Sequence, residues 1–159
     1  MKFISFLHNN EAKFGVINNN IITDLTGKVS GANTLKDLIA NKSIQEAINF
    51  ANKNPGKISL EEIEYLPLIP NPGKIICVGL NYSEHVKETN RTVEENPVVF
   101  HRFPESQTAH KQPIQRPIAS HSLDYEGEMA VIMGEGGKHI KPEEALKHIV
   151  GYSCYNEST

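Results

Sequence analysis

The first 70 residues alternate short apolar runs with polar turns, a pattern that predicts a small α/β module. Strands are expected at Lys2–Leu7 and Lys13–Ile17, joined by a turn that contains His8 and leaves this histidine in solvent. The three asparagines at 18–20 tolerate positive φ and favour a second turn into a strand at Ile21–Leu25. The pattern therefore predicts a three-stranded meander.

Two helices are predicted after the meander. Thr34 precedes Leu35–Ala40 and Ser43 precedes Ile44–Ala51, so each helix begins after a side chain that can accept a backbone hydrogen bond. Glu46 stands at the third helical position after Ser43, which completes the pattern of a capping box. Both helices carry their apolar residues along one face.

A cluster of prolines divides the chain. Pro67, Pro70 and Pro72 hold the backbone extended and disfavour helix or sheet pairing. We therefore predict a small N-terminal domain over residues 1–70 and a second unit over residues 71–159.

The second unit opens with Lys74–Leu80, a continuous apolar run that predicts a strand buried on both faces. A helical turn is expected at 83–88, which would place His85 and Glu88 on one face because they are three positions apart. A carboxylate beside an imidazole is the arrangement of a general base. Spacing alone fits a surface pair without catalytic role better than such a dyad.

Another short strand is predicted at Pro97–Phe103, and its alternation places Arg102 on the same face as Val98 and Phe100. The fork of the Arg102 guanidinium can hold a carboxylate of a substrate. A solvent-facing arginine at a sheet edge fits the sequence about as well. Residues 104–122 are predicted to be irregular loops.

Two acids come together in the next predicted strand, Leu123–Met133. Side chains two apart share a face of a strand, so Glu126 and Glu128 point the same way, followed by Ala130 and Ile132 on the face expected to be buried. Neighbouring carboxylates repel unless a proton or a cation lies between them, and a divalent metal such as Mg²⁺ is the simplest solution. A solvated edge strand with two acids fits the spacing equally well.

A third carboxylate follows near the end of the chain. A helix is predicted at Lys141–Ile149, ended by Gly151, and a strand at Tyr152–Glu157. A neighbouring strand could bring Glu157 beside the two earlier acids. Three carboxylates on two strands suit one divalent cation that retains open positions for water.

Composition narrows the classes of function. A net charge of −3 and the absence of a basic run argue against nucleic-acid binding. No stretch has the length of a membrane span, and the apolar run at the N-terminus is too short for a signal peptide. Cys77 and Cys154 each lie in an apolar run, which favours buried free thiols in a reducing cytoplasm, although a single disulfide also fits.

The second unit resembles the fumarylacetoacetate hydrolase family in four runs that occur in the order the family uses. The runs are Lys74–Tyr82 followed by His85 and Glu88, then Pro97–Phe100, then Leu123–Glu128, and finally Glu143–Leu146 followed by Gly151 and Tyr152. Residues 1–70 resemble, more weakly, the small N-terminal domain that many members carry.

This resemblance implies an α+β fold, in which the N-terminal α/β module precedes part of a mixed β-sandwich roll, and it implies a homodimer. It also implies a Mg²⁺, sometimes Mn²⁺ or Ca²⁺, held by Glu126, Glu128 and Glu157, the last at a position where the family often has aspartate. His85 and Glu88 match the dyad that activates water in members that hydrolyse C–C bonds.

The implied activity is metal-dependent hydrolysis or lysis of a C–C bond in small 2-oxo or β-dicarbonyl acids. The metal would chelate the acid and stabilise its enolate while the dyad deprotonates a water. Tyr82 and Arg102, the latter at a position where relatives often have lysine, are the implied substrate contacts. Isomerase, hydratase and oxaloacetate decarboxylase activities of the same family are the alternatives, since the fold does not fix the substrate.

Family members continue well beyond the position of Thr159. We therefore expect this chain to be a fragment or a truncated product, with exposed strand edges, exposed apolar surface and little activity by itself. A catalytically inactive interaction module and a non-catalytic metal-binding domain are the competing interpretations.

Overall fold

The computed structural model describes residues 1–88 and 95–159, apart from the side chains of His85 and Glu88. Over these residues the fold is α+β, as the sequence predicts. The elements, in chain order, are β1 (Lys2–His8), β2 (Glu11–Asn18), β3 (Ile21–Asp24), α1 (Leu35–Ala40), α2 (Ile44–Lys53), β4 (Ile58–Ser59), β5 (Glu64–Tyr65), β6 (Ile75–Gly79), α3 (Ser83–Glu88), β7 (Val98–Arg102), β8 (Gly127–Met133), α4 (Pro142–Ala145) and β9 (Ile149–Asn156).

The N-terminal strands form one antiparallel sheet in the order β4-β3-β2-β1-β5. The predicted meander is its centre, and the asparagine turn forms as expected because Asn19 and Asn20 take positive φ angles of 49° and 66°. The two-residue strands β4 and β5 at the edges were not predicted, because so short a pairing leaves no period in the sequence.

The core of this unit lies where α1 and α2 pack their apolar faces beside the sheet. Thr34 caps α1 in a complete capping box with Asp37, so this cap is confirmed. Ser43 precedes α2 but makes no side-chain cap bond, and the predicted box with Glu46 is wrong. The reason is tertiary, since the Glu46 carboxylate accepts a hydrogen bond from the Ser30 hydroxyl at 2.6 Å instead.

The second unit consists of two antiparallel ladders, β6 with β7 and β8 with β9. The prediction that β6 is buried on both faces is wrong, because Ile76 and Val78 are 59% and 48% exposed. They lie beside His101 and Val99 of β7 on a face that is mostly solvent-exposed in the described structure. The division of the chain at residue 70 into two domains stays a prediction.

The end of the chain departs from the predicted boundaries. The helical segment is shorter than predicted, with α4 followed by a 3₁₀ turn at Leu146–His148. Gly151 does not end a helix but lies within β9, opposite Ile132 of β8. Cys77 and Cys154 are free thiols, but neither is buried as predicted, since Cys77 is partly buried and Cys154 is exposed. No helix in the described ranges 1–88 and 95–159 is long and apolar enough to cross a bilayer.

Candidate metal centre

The register of β8 and β9 places three glutamates on one face. Gly127 lies opposite Asn156 and Glu128 opposite Tyr155, and one step earlier the Glu157 backbone N–H donates to the Glu126 carbonyl oxygen at 2.9 Å. Directly opposed residues of an antiparallel pair share a face, and so do residues two apart on one strand. Glu126, Glu128 and Glu157 therefore share one face of the ladder.

This carboxylate face is also the less exposed face of the ladder, as the sequence predicts. Ala130 and Ile132 continue it along β8 and are partly buried, whereas Met129 and Val131 on the other face are exposed. Glu126 lies just before the first residue of β8, so the strand begins later than predicted. The alternation predicted for the acids nevertheless holds, because pairing continues through the Glu126 backbone.

Glu157 is buried and is paired with Arg102. The Nε and Nη2 atoms of Arg102 both contact Oε1 of Glu157, and Nη2 also lies 3.5 Å from the Ser158 carbonyl oxygen. Arg102 is the last residue of β7, so this ion pair joins the β6–β7 ladder to the carboxylate face of β8–β9. A guanidinium that holds a buried carboxylate offsets the free energy that burial of its charge would otherwise cost.

Tyr82 contacts a second glutamate of the set. Its hydroxyl donates a hydrogen bond to Oε2 of Glu128 at 3.1 Å, and this bond and the charge of Glu128 raise the pKa of Tyr82. Leu80, between β6 and Tyr82, takes a left-handed φ of 56°, which is unusual for a bulky residue and turns the chain sharply after the strand. The turn and the hydrogen bond fix where Tyr82 meets the carboxylate face.

Two further residues, Cys77 and Tyr155, lie near Glu157, a position that was not predicted for either from the sequence. Burial raises the pKa of the Cys77 thiol, and the nearby charge of Glu157 adds to that effect. Burial likewise raises the pKa of Tyr155, with further contributions from Cys77 and Glu157. Both groups therefore stay protonated at neutral pH, so neither is a ready nucleophile. The sequence did contain a signal for Tyr155, because it lies two positions before Glu157 on the same strand and therefore shares its face.

The chemistry of these side chains fits a hard divalent cation. Mg²⁺ and Mn²⁺ take carboxylate oxygens together with water, and Glu126, Glu128 and Glu157 supply such oxygens from one face. Within the described residues, however, no three His, Cys, Asp or Glu side chains are gathered closely enough to hold a metal. The Glu157 carboxylate contacts Arg102 instead. The backbone places the three carboxylates on one face, but within the described residues their side chains do not converge on one point.

The predicted dyad can be located only by its backbone. His85 and Glu88 lie in α3, as expected from the helical turn, but their side chains lie outside the described part of the structure. Their catalytic roles therefore stay predictions.

Residues 74–159 match a family model described as fumarylacetoacetate (FAA) hydrolase C-terminal. This match covers more than half of the chain. The chain belongs to the fumarylacetoacetate hydrolase family. The predicted family is thus confirmed.

Curated relatives extend the match. The chain is 37% identical to an oxaloacetate tautomerase fahd2, mitochondrial, of Xenopus laevis over 119 residues, which are 75% of this chain and 37% of the frog protein. It is 30% identical to a fumarylacetoacetate hydrolase domain-containing protein 2 homolog of Dictyostelium discoideum over 165 residues, covering 99% of this chain and 54% of that one. The chain thus spans about half or less of the length of these relatives.

Solved structures confirm the fold. A fumarylacetoacetate hydrolase from psychrophilic Exiguobacterium antarcticum superposes with a TM-score of 0.81 at 31% identity, covering 100% of this chain and 56% of that one. A maleylpyruvate hydrolase from Sphingobium sp. SYK-6, in complex with manganese(II) and pyruvate, gives a TM-score of 0.80 at 22% identity and covers 100% of this chain and 59% of that one. The second likeness shows the fold alone.

Proposed function

We propose that this chain carries the metal-binding part of an enzyme that acts on small 2-oxo or β-dicarbonyl acids. The observation that carries the proposal is the carboxylate face, on which Glu126, Glu128 and Glu157 stand together beside the cationic Arg102. Carboxylates that hold a metal, and a guanidinium that can meet an acid, are the two recognition elements that a 2-oxo acid needs.

The names of similar proteins support this substrate class. One relative is named an oxaloacetate tautomerase, and one solved neighbour is a maleylpyruvate hydrolase bound to manganese(II) and pyruvate. Oxaloacetate, maleylpyruvate and pyruvate are all 2-oxo acids, and their chemistry at the carbon beside the oxo group passes through an enol or enolate. We therefore propose that the site stabilises the enolate of such an acid.

In this proposal Glu126, Glu128 and Glu157 hold Mg²⁺ or Mn²⁺. When bound, the metal would act as a Lewis acid on the 2-oxo group. Tyr82 keeps the Glu128 carboxylate in place through its hydroxyl, and Arg102 offers its guanidinium to the carboxylate of the acid. Tyr155 and Cys77 lie close enough to Glu157 for its charge to raise their pKa values, and both stay neutral at neutral pH.

Proton transfer is assigned to His85 and Glu88. The imidazole would take a proton from water or from the carbon beside the oxo group, while the carboxylate orients the ring and stabilises its charged form. Their spacing of three within α3 places both on one side of that helix. The assignment rests on this spacing and on the family motif.

Hydrolysis of a C–C bond is the leading reaction, and tautomerisation is the second candidate. Hydrolysis is favoured by the dyad motif at His85 and Glu88 and by the likeness to a solved fumarylacetoacetate hydrolase at 31% identity. Tautomerisation is favoured by the relative named oxaloacetate tautomerase, at 37% identity. Tautomerisation needs only the movement of a proton between carbon and oxygen, which the same base could perform. The homodimer and the cytoplasmic location stay predictions.

The first test measures Mn²⁺ binding through the electron paramagnetic resonance signal of the free ion. We expect Glu128→Gln to weaken Mn²⁺ binding at least tenfold, because one charged ligand is lost, whereas Glu143→Gln on the exposed surface of α4 leaves it unchanged. Equal binding by the two variants would contradict the proposed ligand set.

Turnover then separates the two reactions. Acetylpyruvate hydrolysis releases pyruvate, which a coupled lactate dehydrogenase assay detects, whereas oxaloacetate tautomerisation changes only the ultraviolet absorbance of the enol. Both assays are run with Mn²⁺ and with excess chelator. Turnover that survives chelation would contradict a metal-dependent mechanism.

A further inference from the structure

Glu157 belongs both to the proposed ligand set and to an ion pair with Arg102. The inference drawn from this rests on the proposed metal site. The backbone position of Glu157 makes it the third carboxylate of the ligand set, yet its side chain is already held by Arg102. We propose that Arg102 competes with the divalent cation for Glu157, so that the metal completes its ligand set only when Arg102 leaves.

Burial indicates which partner moves. The Glu157 side chain is 9% exposed, whereas that of Arg102 is 35% exposed. Arginine is also the longer and more flexible of the two side chains, and its stem can keep contact with the protein while its head turns to solvent. Arg102 is therefore the partner that leaves, and Glu157 stays at the carboxylate face.

A buried carboxylate strongly favours having a cation beside it. Arg102 supplies that cation in the structure described here, with two of its nitrogens on the same oxygen of Glu157. A divalent ion on Glu157 would bring two further positive charges against the guanidinium. Their repulsion makes the two states exclusive.

Metal binding at Glu157 would also change what the guanidinium of Arg102 can bind. Once the metal takes Glu157, the guanidinium of Arg102 loses its carboxylate partner and is free to bind the carboxylate of an incoming acid. Metal loading thereby prepares the acid-binding group. The ion pair between Arg102 and Glu157 is the switch between an unloaded site and a site that is ready for the acid.

The test measures the affinity of the full 159-residue chain for Mn²⁺ by titration calorimetry. Arg102→Gln removes the competitor, so Mn²⁺ should bind about tenfold more tightly, as expected when the binding-competent state was a minor one. Arg102→Lys, which keeps the charge but lacks the fork, should fall between wild type and Arg102→Gln. The matched control is Arg116→Gln, a loss of the same charge at an exposed loop position, which should leave the affinity unchanged.

A second arm separates competition from a general effect of charge. In a Glu157→Gln background the contested carboxylate is gone, so Arg102→Gln should no longer tighten Mn²⁺ binding. A gain that persists in this background would show that Arg102 acts only by repelling the metal from a distance, and it would overturn the proposal. Far-ultraviolet circular dichroism of each variant establishes that it is folded.

The outcomes also distinguish this inference from the function on which it rests. If Arg102→Gln leaves Mn²⁺ binding unchanged or weakens it, while Glu128→Gln abolishes it, the metal site stands and the competition is wrong. Weakened binding would show that Arg102 instead supports Glu157 as a metal ligand through its second oxygen. If neither wild type nor Arg102→Gln binds Mn²⁺, the proposed metal function fails and the inference fails with it.

Discussion

At the scale of single residues, the carboxylate face is organised by contacts between distant parts of the chain. Tyr82 reaches Glu128 across 46 positions of sequence, and Arg102 reaches Glu157 across 55. Each contact engages a carboxylate of the proposed ligand set. Tyr82 and Arg102 thus hold two acids of the proposed site in place.

The two free thiols should differ in reactivity. Cys154 is exposed, whereas Cys77 is partly buried and its pKa is raised, first by burial and then by the charge of Glu157. The thiolate is the reactive form, and a raised pKa means that less of it is present at a given pH. Iodoacetamide at pH 8 should therefore alkylate Cys154 several times faster than Cys77, as followed by mass spectrometry of the peptides.

Two variants check the assignment of those rates. Cys154→Ser should leave only the slow reaction, and Glu157→Gln should speed the reaction of Cys77, because the charge that helps to raise its pKa is removed. Faster alkylation of Cys77 than of Cys154 in the folded wild type would contradict the described burial.

At the scale of elements, α1 and α2 show how a local cap succeeds or fails. Thr34 and Asp37 complete the capping box of α1 with residues that are neighbours in sequence. Ser43 is also in position, but its hydroxyl donates to Ser30 at 2.8 Å and its expected partner Glu46 is engaged by the same serine. A tertiary contact therefore replaced a local one at α2 and not at α1.

Removal of the α1 cap gives a stability prediction. Thr34→Ala should lower the free energy of unfolding by about 1 kcal/mol, because the Asp37 backbone N–H loses its side-chain acceptor. Thr34→Ser keeps the hydroxyl and should retain most of that stability. Chemical denaturation followed by circular dichroism measures both, and an equal loss in the two variants would show that the hydroxyl is not what stabilises the helix.

At the scale of the whole molecule, the second unit exposes apolar surface on both of its ladders. Ile76 and Val78 are exposed on β6, and Met129, Val131 and Tyr152 are exposed on the face of β8–β9 opposite the carboxylates. Contiguous exposed apolar side chains of this kind mark surfaces that pack against other polypeptide or associate. This protein covers 56% of the solved relative from Exiguobacterium antarcticum, so that relative contains further chain that this sequence does not match.

We predict that the 159-residue chain binds an apolar dye such as ANS without heating and associates with itself at high concentration. The double substitution Met129→Lys and Val131→Lys should lower both, because it places charge on the exposed face of β8. The matched control is Ile118→Lys, a similar change at an isolated loop residue that is 98% exposed. Dye fluorescence and light scattering measure the effects, and equal reduction by the control would contradict a role for the sheet face.

The sequence predicted the features that depend only on residues close together along the chain. Alternation along a strand placed Glu126 and Glu128 on one face, the asparagines formed their turn, and Thr34 capped its helix. The spacing within a strand or a helical turn is set by backbone geometry alone, so these features need no knowledge of the rest of the fold. The motifs of the second unit identified the family because they occur in a fixed order along the chain, which can also be seen without the fold.

The tertiary structure decided the exposure of β6 and which cation contacts which carboxylate. No local pattern could show that Arg102 lies against Glu157, since their strands approach only through long-range packing. Burial also depends on which elements pack against a strand. The sequence of β6 suits a strand buried on both sides, but Ile76 and Val78 are exposed. The three glutamates, including Glu157 on a neighbouring strand, could be predicted from the sequence, whereas the ion pair between Glu157 and Arg102 required the fold.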